Sequence, residues 1–180
     1  RRIRIRRTSN RVNKELDLNF YIMNSHHTVA IGTWEGDKQQ SIEYNSSIAV
    51  GIDCPRAKLR VSILLDTIQE YQVRYIFSDE EISEAVNEAG LIIGARGIAY
   101  EGVLQRKPVI VVGEYGFGGL VTPDTLHEQY NNYFRGKING IKAEYFSLER
   151  LEEEIRRGFA LTFQELQMMS NQTIRFLHNI

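Results

Sequence analysis

A chain of 180 residues is long enough for one domain with a full hydrophobic core. Its hydrophobic fraction of 42% and charged fraction of 25% are typical of a soluble globular protein, and no apolar run approaches the roughly 20 residues of a transmembrane helix. The formal net charge of -1 gives no general attraction to nucleic acid, which we do not expect as a partner.

The first residues and the single cysteine bear on location. Residues 1–7 are basic, lack the apolar segment of a signal peptide, and alternate arginine with isoleucine as an exposed or edge strand does. An alternative role for them is an arm that binds phosphates or a membrane surface, which would place the chain peripherally at the inner membrane face. Cys54 cannot form an internal disulfide, so we predict a reducing, cytoplasmic environment. Because the chain begins with arginine, we interpret it as a piece of a longer protein.

The sequence changes character near residue 46. Before this point, short runs of β-forming residues are separated by turn residues, and we predict strands over 18–23, 27–34 and 41–44. We therefore treat residues 1–45 as a β-rich segment, which either belongs to the following domain or is the remnant of a preceding one. Residues 46–180 are predicted to form an α/β domain.

Strand and helix patterns alternate after residue 46. Apolar or β-branched runs predict strands over 48–53, 73–77, 91–95 and 108–113. Helices are predicted between them: one from Pro55 to residue 71, one opened by Ser78 and Glu81 at capping-box spacing, and one over 97–107. This alternation predicts a Rossmann-like, mostly parallel sheet with helices on both faces.

The last third of the chain is predicted to be mostly helical. Thr122 and Pro123 are suited to begin a helix, residues 141–146 to form one more strand, and Ser147 to cap a long C-terminal helix that Gly158 bends. Part of the apolar stripe of that helix is expected to need a partner. A domain interface or a homodimer would provide one.

Ligands of open α/β sheets bind beyond the carboxyl ends of the strands, which directs attention to the loops 78–81, 95–98 and 113–122. The second loop begins a helix whose free amides suit a phosphate. Gly97 lets the backbone approach a ligand, and Arg96 can pair with a diphosphate. Glu101, one turn into this helix, can accept hydrogen bonds from the two hydroxyls of a ribose. The alternative is that Glu101 is a solvated residue interacting with the helix dipole.

The third loop is rich in glycine and follows the most apolar strand. Its backbone amides could surround a phosphate or a sugar, and the alternative is a flexible connection or lid. Its spacing fits neither the phosphate-loop motif nor the dinucleotide fingerprint. The candidate ligand contacts in this loop are Glu114, Tyr115, Gly116, Gly118 and Gly119.

Other chemistry finds little support. His26 and His27 are adjacent on a predicted strand and point to opposite faces, so they are not expected to share a metal ion. The sequence contains no nucleophile elbow, no zinc spacing and no convincing Ser/His/Asp set. Tyr130, Tyr133 and Phe134 have helical spacing and are interpreted as core or interface residues. We predict no metal site and leave the catalytic residues unassigned.

Residues 97–110, with the sequence GIAYEGVLQRKPVI, resemble the signature of the C-terminal half of GT-B-type glycosyltransferases, with the bacterial capsule and surface polysaccharide transferases as the nearest type. The resemblance extends over about residues 73–125. It implies that Glu101 holds the nucleotide ribose, that Gly97 and Ile98 face the diphosphate, and that residues 114–119 contact the donor. Such enzymes often have serine or threonine ahead of the helix, where this chain has Ala95 and Arg96.

The resemblance implies a domain that binds a nucleotide-sugar donor as substrate, with no further cofactor. The chain would then be part of a glycosyltransferase whose catalytic base comes from a separate N-terminal acceptor domain. Two alternatives stay open. One is an enzyme similar to nucleotide-sugar epimerases, for which Glu114 and Asp124 are the candidate acids and bases. The other is a non-catalytic nucleotide-binding or interaction domain that dimerises through the C-terminal helix.

Overall fold

The computed structural model describes residues 28–32 and 41–178. The contacts within the chain divide it into two units, Arg1–Ser46 and Ser47–Ile180. In the first unit, β1 (Thr28–Gly32) and β2 (Ser41–Asn45) form an antiparallel pair, as two of the sequence-based strand predictions require. The predicted strand over 18–23, the basic residues 1–7 and the His26–His27 pair lie outside the described residues.

The second unit is an α/β domain built on a five-stranded sheet. Its strands are β3 (Ser47–Gly51), β4 (Gln72–Tyr75), β5 (Leu91–Gly94), β6 (Val109–Gly113) and β7 (Gly116–Leu120). They lie in the order β4-β3-β5-β6-β7, and all neighbours are parallel except β6 and β7. The predicted fold class, a Rossmann-like and mostly parallel sheet flanked by helices, is confirmed.

Six α-helices accompany this sheet in the described residues. They are α1 (Pro55–Ile68), α2 (Ile82–Glu88), α3 (Arg96–Leu104), α4 (Leu126–Asn131), α5 (Leu148–Phe159) and α6 (Phe163–His178). Gly102 of α3 lies against Ile92 of β5, whereas Gly158 of α5 lies against Leu91 of the same strand. Because successive strand residues point to opposite faces, the two helices cover opposite faces of β5. This double cover explains why the strands read as continuous apolar runs.

The strand order creates a reversal point in the middle of the sheet. The chain leaves β3 through α1 and pairs β4 on one side, then crosses through α2 and pairs β5 on the other side. The connections that follow β3 and β5 therefore depart in opposite directions. In open α/β sheets this point is where a ligand-binding crevice forms.

Two glycines let α3 begin directly above that point. The side chain of Ile98, in the first turn of α3, packs over Gly51 at the end of β3 and Gly94 at the end of β5. A Cβ atom on Gly94 would lie 2.5 Å from the carbonyl oxygen of Gly51, and one on Gly51 would lie 2.7 Å from Ile98 Cδ1. Close packing of backbone against side chain therefore sets where α3 starts.

The predicted glycine-rich loop over 113–122 is wrong. Only Glu114 and Tyr115 form a turn, and the chain then returns as the antiparallel strand β7, paired with β6. The strand is largely buried in spite of its glycines, because the side chains of Gln129 and Glu154 and the backbone at Ile141 fill the space beside them. Low β-propensity of glycine is overridden here by tertiary packing.

The C-terminal third departs from prediction in two ways. Residues 141–146 do not form a strand: 143–145 are a turn and the others are irregular, with one strand-like hydrogen bond in which Phe117 N donates to Ile141 O. The long helix is two helices: Ser147 caps α5 as predicted, but α5 ends at Phe159 and a new cap starts α6. Thr162 Oγ1 accepts from Glu165 N, and Glu165 Oε2 accepts from Thr162 N, a reciprocal capping box.

Two predicted helix starts also differ. Ser78 makes no side-chain cap, and a short 3₁₀ turn, Asp79–Glu81, precedes α2, with Glu81 accepting from Phe77 N. Thr122 and Thr125 instead pair with each other in a turn before α4, which begins at Leu126.

Gly94→Ala should destabilise the domain, since its Cβ would meet the backbone of Gly51 and overpacking of this kind costs about 1–3 kcal/mol. Gly97→Ala is the matched control, because the nearest atom to a Cβ there is Ile82 Cδ1 at 3.9 Å. Urea unfolding should show a lower midpoint for Gly94→Ala and an unchanged or higher midpoint for Gly97→Ala. Equal midpoints for the two variants would contradict the packing described above.

The Glu165 carboxylate should stabilise the start of α6 only while it is charged. Its hydrogen bonds from Thr162, the backbone amide first, hold the pKa of Glu165 below the ordinary 4.5. A lowered folded-state pKa means that the contribution is present above pH 4.5 and lost as the pH falls through the folded value. Glu165→Gln should therefore be less stable than wild type at pH 7, by about 0.5 kcal/mol.

This difference should shrink towards zero in acid, measured by thermal unfolding from pH 7 to pH 3. Glu70→Gln, an exposed change outside the helices, is the control and should show no such trend. A Glu165→Gln difference that is constant over the whole pH range would argue against an ionic cap.

Candidate functional site

Charged side chains from three strand ends meet at the carboxyl edge of the sheet. Asp53 follows β3, Arg96 begins α3 after β5, and Glu114 follows β6. Arg96 Nη2 donates to Glu114 Oε2 at 2.7 Å, and Arg96 Nε lies 3.8 Å from Asp53 Oδ2. We call these residues, together with Tyr115 and Arg135, the rim cluster.

Arg135 joins this cluster from the segment after α4. Its Nε lies 3.3 Å from Glu114 Oε1, and its Nη1 donates to the Tyr115 hydroxyl at 3.4 Å. The hydrogen bond to Tyr115 and the negative charge of Glu114 raise the pKa of Arg135 above its ordinary value. Glu114 therefore faces two guanidinium groups, those of Arg96 and Arg135.

Backbone hydrogen bonds fix this arrangement. The Phe134 carbonyl accepts from Arg96 N at 3.1 Å, and the Arg135 carbonyl accepts from Tyr115 N at 2.9 Å. Gly136 has a φ of 104° and lies directly against the backbone of Gly116, so that neither position has room for a side chain. The segment after α4 is thus attached both to the start of α3 and to the β6–β7 turn.

Three non-glycine residues at this edge have left-handed backbone conformations. Arg96, Tyr133 and Phe134 have φ values of 53°, 54° and 53°. Each costs about 1 kcal/mol or more relative to an ordinary conformation. Such residues are concentrated at binding and catalytic sites, where surrounding contacts hold them in place. Here those contacts are the packing of the buried Phe134 ring and the hydrogen bond that Arg96 N donates to the Phe134 carbonyl.

The start of α3 presents backbone amides beside the cluster. Gly97 is exposed, and a Cβ atom there would meet only Ile82 Cδ1, at a van der Waals distance of 3.9 Å. The Ile98 side chain is buried, so this residue can offer a ligand only its backbone. Amides in the first turn of a helix have no acceptor within the helix and attract anions.

Glu101 lies one turn further along α3 and is partly exposed. Its Oε1 accepts from Gln105 Nε2 at 2.7 Å, a contact between neighbours on the same helix. No hydrogen bond or ion pair among the described residues joins Glu101 to Glu114 or Tyr115. The structure therefore places Glu101 beyond the helix start, outside the rim cluster.

The three glycines of β7 lie away from the rim cluster or serve its framework. Gly118 packs against Gln129, whose Nε2 donates to Gly118 O at 2.8 Å. Gly119, with a φ of 77°, lies against the carboxylate of Glu154. Gly116 begins the strand and is in contact with Gly136. Their small size has a packing reason in each case, while their predicted role in ligand contact stays untested.

Glu154 is the one charged side chain that is buried in the described part of the chain, and its partners explain its burial. It is 1% exposed, accepts from Leu120 N at 3.1 Å, and pairs with Arg150 and Arg157. These contacts satisfy both carboxylate oxygens and attach α5 to β7. We assign Glu154 a structural role because its contacts are with Leu120, Arg150 and Arg157 and not with the rim cluster.

Two members of the rim cluster, Asp53 and Arg135, were not predicted from the sequence. Asp53 is the last residue of the strand predicted over 48–53, and only the strand order reveals that β3 lies beside β5. Arg135 reaches the cluster through two consecutive left-handed residues, which no sequence pattern indicated. The predicted loop 78–81 follows the edge strand β4 and makes no hydrogen bond or ion pair with the cluster in the described part of the chain.

Among the residues that the structure describes, no group of three or more His, Cys, Asp or Glu side chains could hold a metal ion. Within the same residues, none of the helices has both the length and the apolar character needed to cross a bilayer. No protein-family model, curated protein or solved structure matches this chain.

Proposed function

We propose that this chain binds a nucleotide-sugar at the carboxyl edge of its sheet and forms the donor-binding part of a glycosyltransferase of surface polysaccharide or glycan synthesis. One observation carries the proposal: the Arg96 side chain and the first-turn amides of Gly97 and Ile98 in α3 lie together at the point where the strand order reverses. Cationic side chains and helix-start amides at such a point favour a phosphorylated ligand. Residues 97–110 add the resemblance to GT-B-type donor domains.

In this proposal the diphosphate binds the amides of Gly97 and Ile98 and the guanidinium of Arg96. These groups would stabilise the negative charge that develops on the leaving diphosphate as the bond to the anomeric carbon breaks. Glu101 would exchange its hydrogen bond from Gln105 for those from the ribose hydroxyls. The catalytic base would come from an acceptor domain outside this chain, and the reaction would take place in the cytoplasm or at the inner membrane face.

A nucleotide-binding or interaction domain without catalysis of its own is the second candidate. The observation that favours it is a set of apolar side chains on α6 that are more than 40% exposed: Phe163, Met168, Ile174 and Leu177. A partner domain or a second copy of the chain would cover such a surface. A nucleotide-binding domain would share the proposed phosphate-binding site, whereas an interaction domain would bind no nucleotide, so ligand binding is the property to test first.

Titration calorimetry with UDP-, GDP- and CMP-linked sugars should detect binding of at least one class. Glu101→Ala should weaken it by about tenfold to a hundredfold, the range for the loss of hydrogen bonds to a charged group. Glu128→Ala, which removes an exposed carboxylate of α4, is the control and should bind as wild type does. If no nucleotide-sugar binds, or if both variants bind equally well, the proposal is wrong.

Gly97→Ala should weaken the same binding by about tenfold while the domain remains fully stable. The added methyl group would make only an ordinary van der Waals contact with Ile82 in the free protein but would occupy the approach of a phosphate to the first-turn amides. The unfolding midpoint measured on the same sample separates a local effect from unfolding. Unchanged affinity would mean that the ligand does not contact the start of α3.

A further inference from the structure

The carboxylate of Glu114 occupies the space between two arginines. Its Oε2 accepts from Arg96 Nη2 at 2.7 Å, and its Oε1 lies 3.3 Å from Arg135 Nε. The two guanidinium groups come from separate parts of the chain, the start of α3 and the segment after α4. They nevertheless converge on one anionic group, which is the arrangement that a bound diphosphate would need.

Both arginines keep donors that the described part of the chain does not use. Nε of Arg135 is buried and makes no aligned hydrogen bond, although it lies beside Glu114. No hydrogen bond among the described residues engages Nη1 of Arg96 or Nη2 of Arg135. Arginine has five N–H donors in a planar fork, and a carboxylate satisfies fewer of them here than the oxygens of a diphosphate could.

Aromatic rings hold Arg135 in position. The guanidinium carbon lies 6.0 Å from the ring centroid of Tyr115 and 5.6 Å from that of Tyr133. The Tyr115 hydroxyl also accepts a hydrogen bond from Arg135 Nη1. The Arg135 carbonyl is anchored by Tyr115 N. The guanidinium is therefore positioned before any ligand arrives, which lowers the entropy that binding has to offset.

The Glu114 side chain, in contrast, can move away from the two arginines. It lies in the two-residue turn between β6 and β7, its side chain is 38% exposed, and its partners Arg96 and Arg135 are 45% and 35% exposed. Exposed ion pairs of this kind contribute little to stability. A ligand with more negative charge than one carboxylate can therefore compete for the two arginines.

We propose that Arg96 and Arg135 form a two-arginine site for a diphosphate group, and that Glu114 fills this site as an internal counterion until the ligand displaces it. The site deepens the function proposed above and rests on it for the nucleotide part of the ligand. It adds Arg135 as a binding residue and gives Glu114 a role opposite to ligand contact. Glu114 lowers the affinity for anions and leaves the arginines neutralised when the site is empty.

The test is calorimetric titration of the whole chain with inorganic pyrophosphate and, separately, with UDP, GDP and CDP. Glu114→Gln removes the competing charge without removing a donor and should bind pyrophosphate about tenfold more tightly than wild type. Arg135→Ala should bind it about tenfold more weakly. Arg135→Gln is a second variant in case the first does not fold, since the backbone contacts of Arg135 remain in both.

Matched controls separate these effects from general charge. Glu128→Gln and Arg156→Ala change charge by the same amount at exposed positions of α4 and α5, and both should bind pyrophosphate as wild type does. Unchanged or weaker binding by Glu114→Gln would overturn the counterion role. Unchanged binding by a folded Arg135 variant would overturn the two-arginine site.

The outcomes also separate this inference from the proposed function. If nucleotide-sugars bind in a manner that depends on Glu101 while Glu114→Gln and the Arg135 variants have no effect, the function stands and the two-arginine site is wrong. If pyrophosphate shows the expected pattern but no nucleotide binds more tightly than pyrophosphate, the site stands and the nucleotide-sugar function is wrong. If neither ligand binds to any variant, both are wrong.

Discussion

The packing of Ile98 over Gly51 and Gly94 is the contact on which the rest of the candidate site depends. It brings the first turn of α3 onto the ends of β3 and β5, at the point where the strand order reverses. A side chain at either glycine would move the helix away from the sheet. The position of Arg96 and of the first free amides of α3 follows from this contact, as does their distance from Glu114.

The rim cluster has a balanced charge in the absence of a ligand. Asp53 and Glu114 face Arg96 and Arg135, and the cations are held by backbone and aromatic contacts while Glu114 lies in an exposed turn. In the proposed site, an anion would displace Glu114 from the two arginines. Two arginines would then be available to a phosphorylated ligand although the net charge of the chain is only -1.

Hydrophobic periodicity sufficed to predict the alternating strands and helices from residue 46 to Gly113, because double burial of a parallel sheet leaves a clear sequence pattern. It failed for β7, where glycines make room for Gln129 and Glu154, and it did not separate α5 from α6, although Thr162 and Glu165 have capping-box spacing. Arg96 was predicted as a site residue because it directly precedes the helix predicted over 97–107. Asp53 reaches the site through the strand order, and Arg135 reaches it through left-handed backbone conformations. Neither feature leaves a pattern in the local sequence.

The most direct measurement is a two-dimensional amide spectrum of ¹⁵N-labelled protein, recorded while inorganic pyrophosphate and then a nucleoside diphosphate are added. If the edge of the sheet binds the diphosphate, the amide signals of Gly97 and Ile98 should move most, because their N–H groups donate to the phosphate oxygens. Signals of α6 should stay in place. Largest changes on α6, or no change at Gly97 and Ile98 at saturation, would contradict a phosphate site at the start of α3.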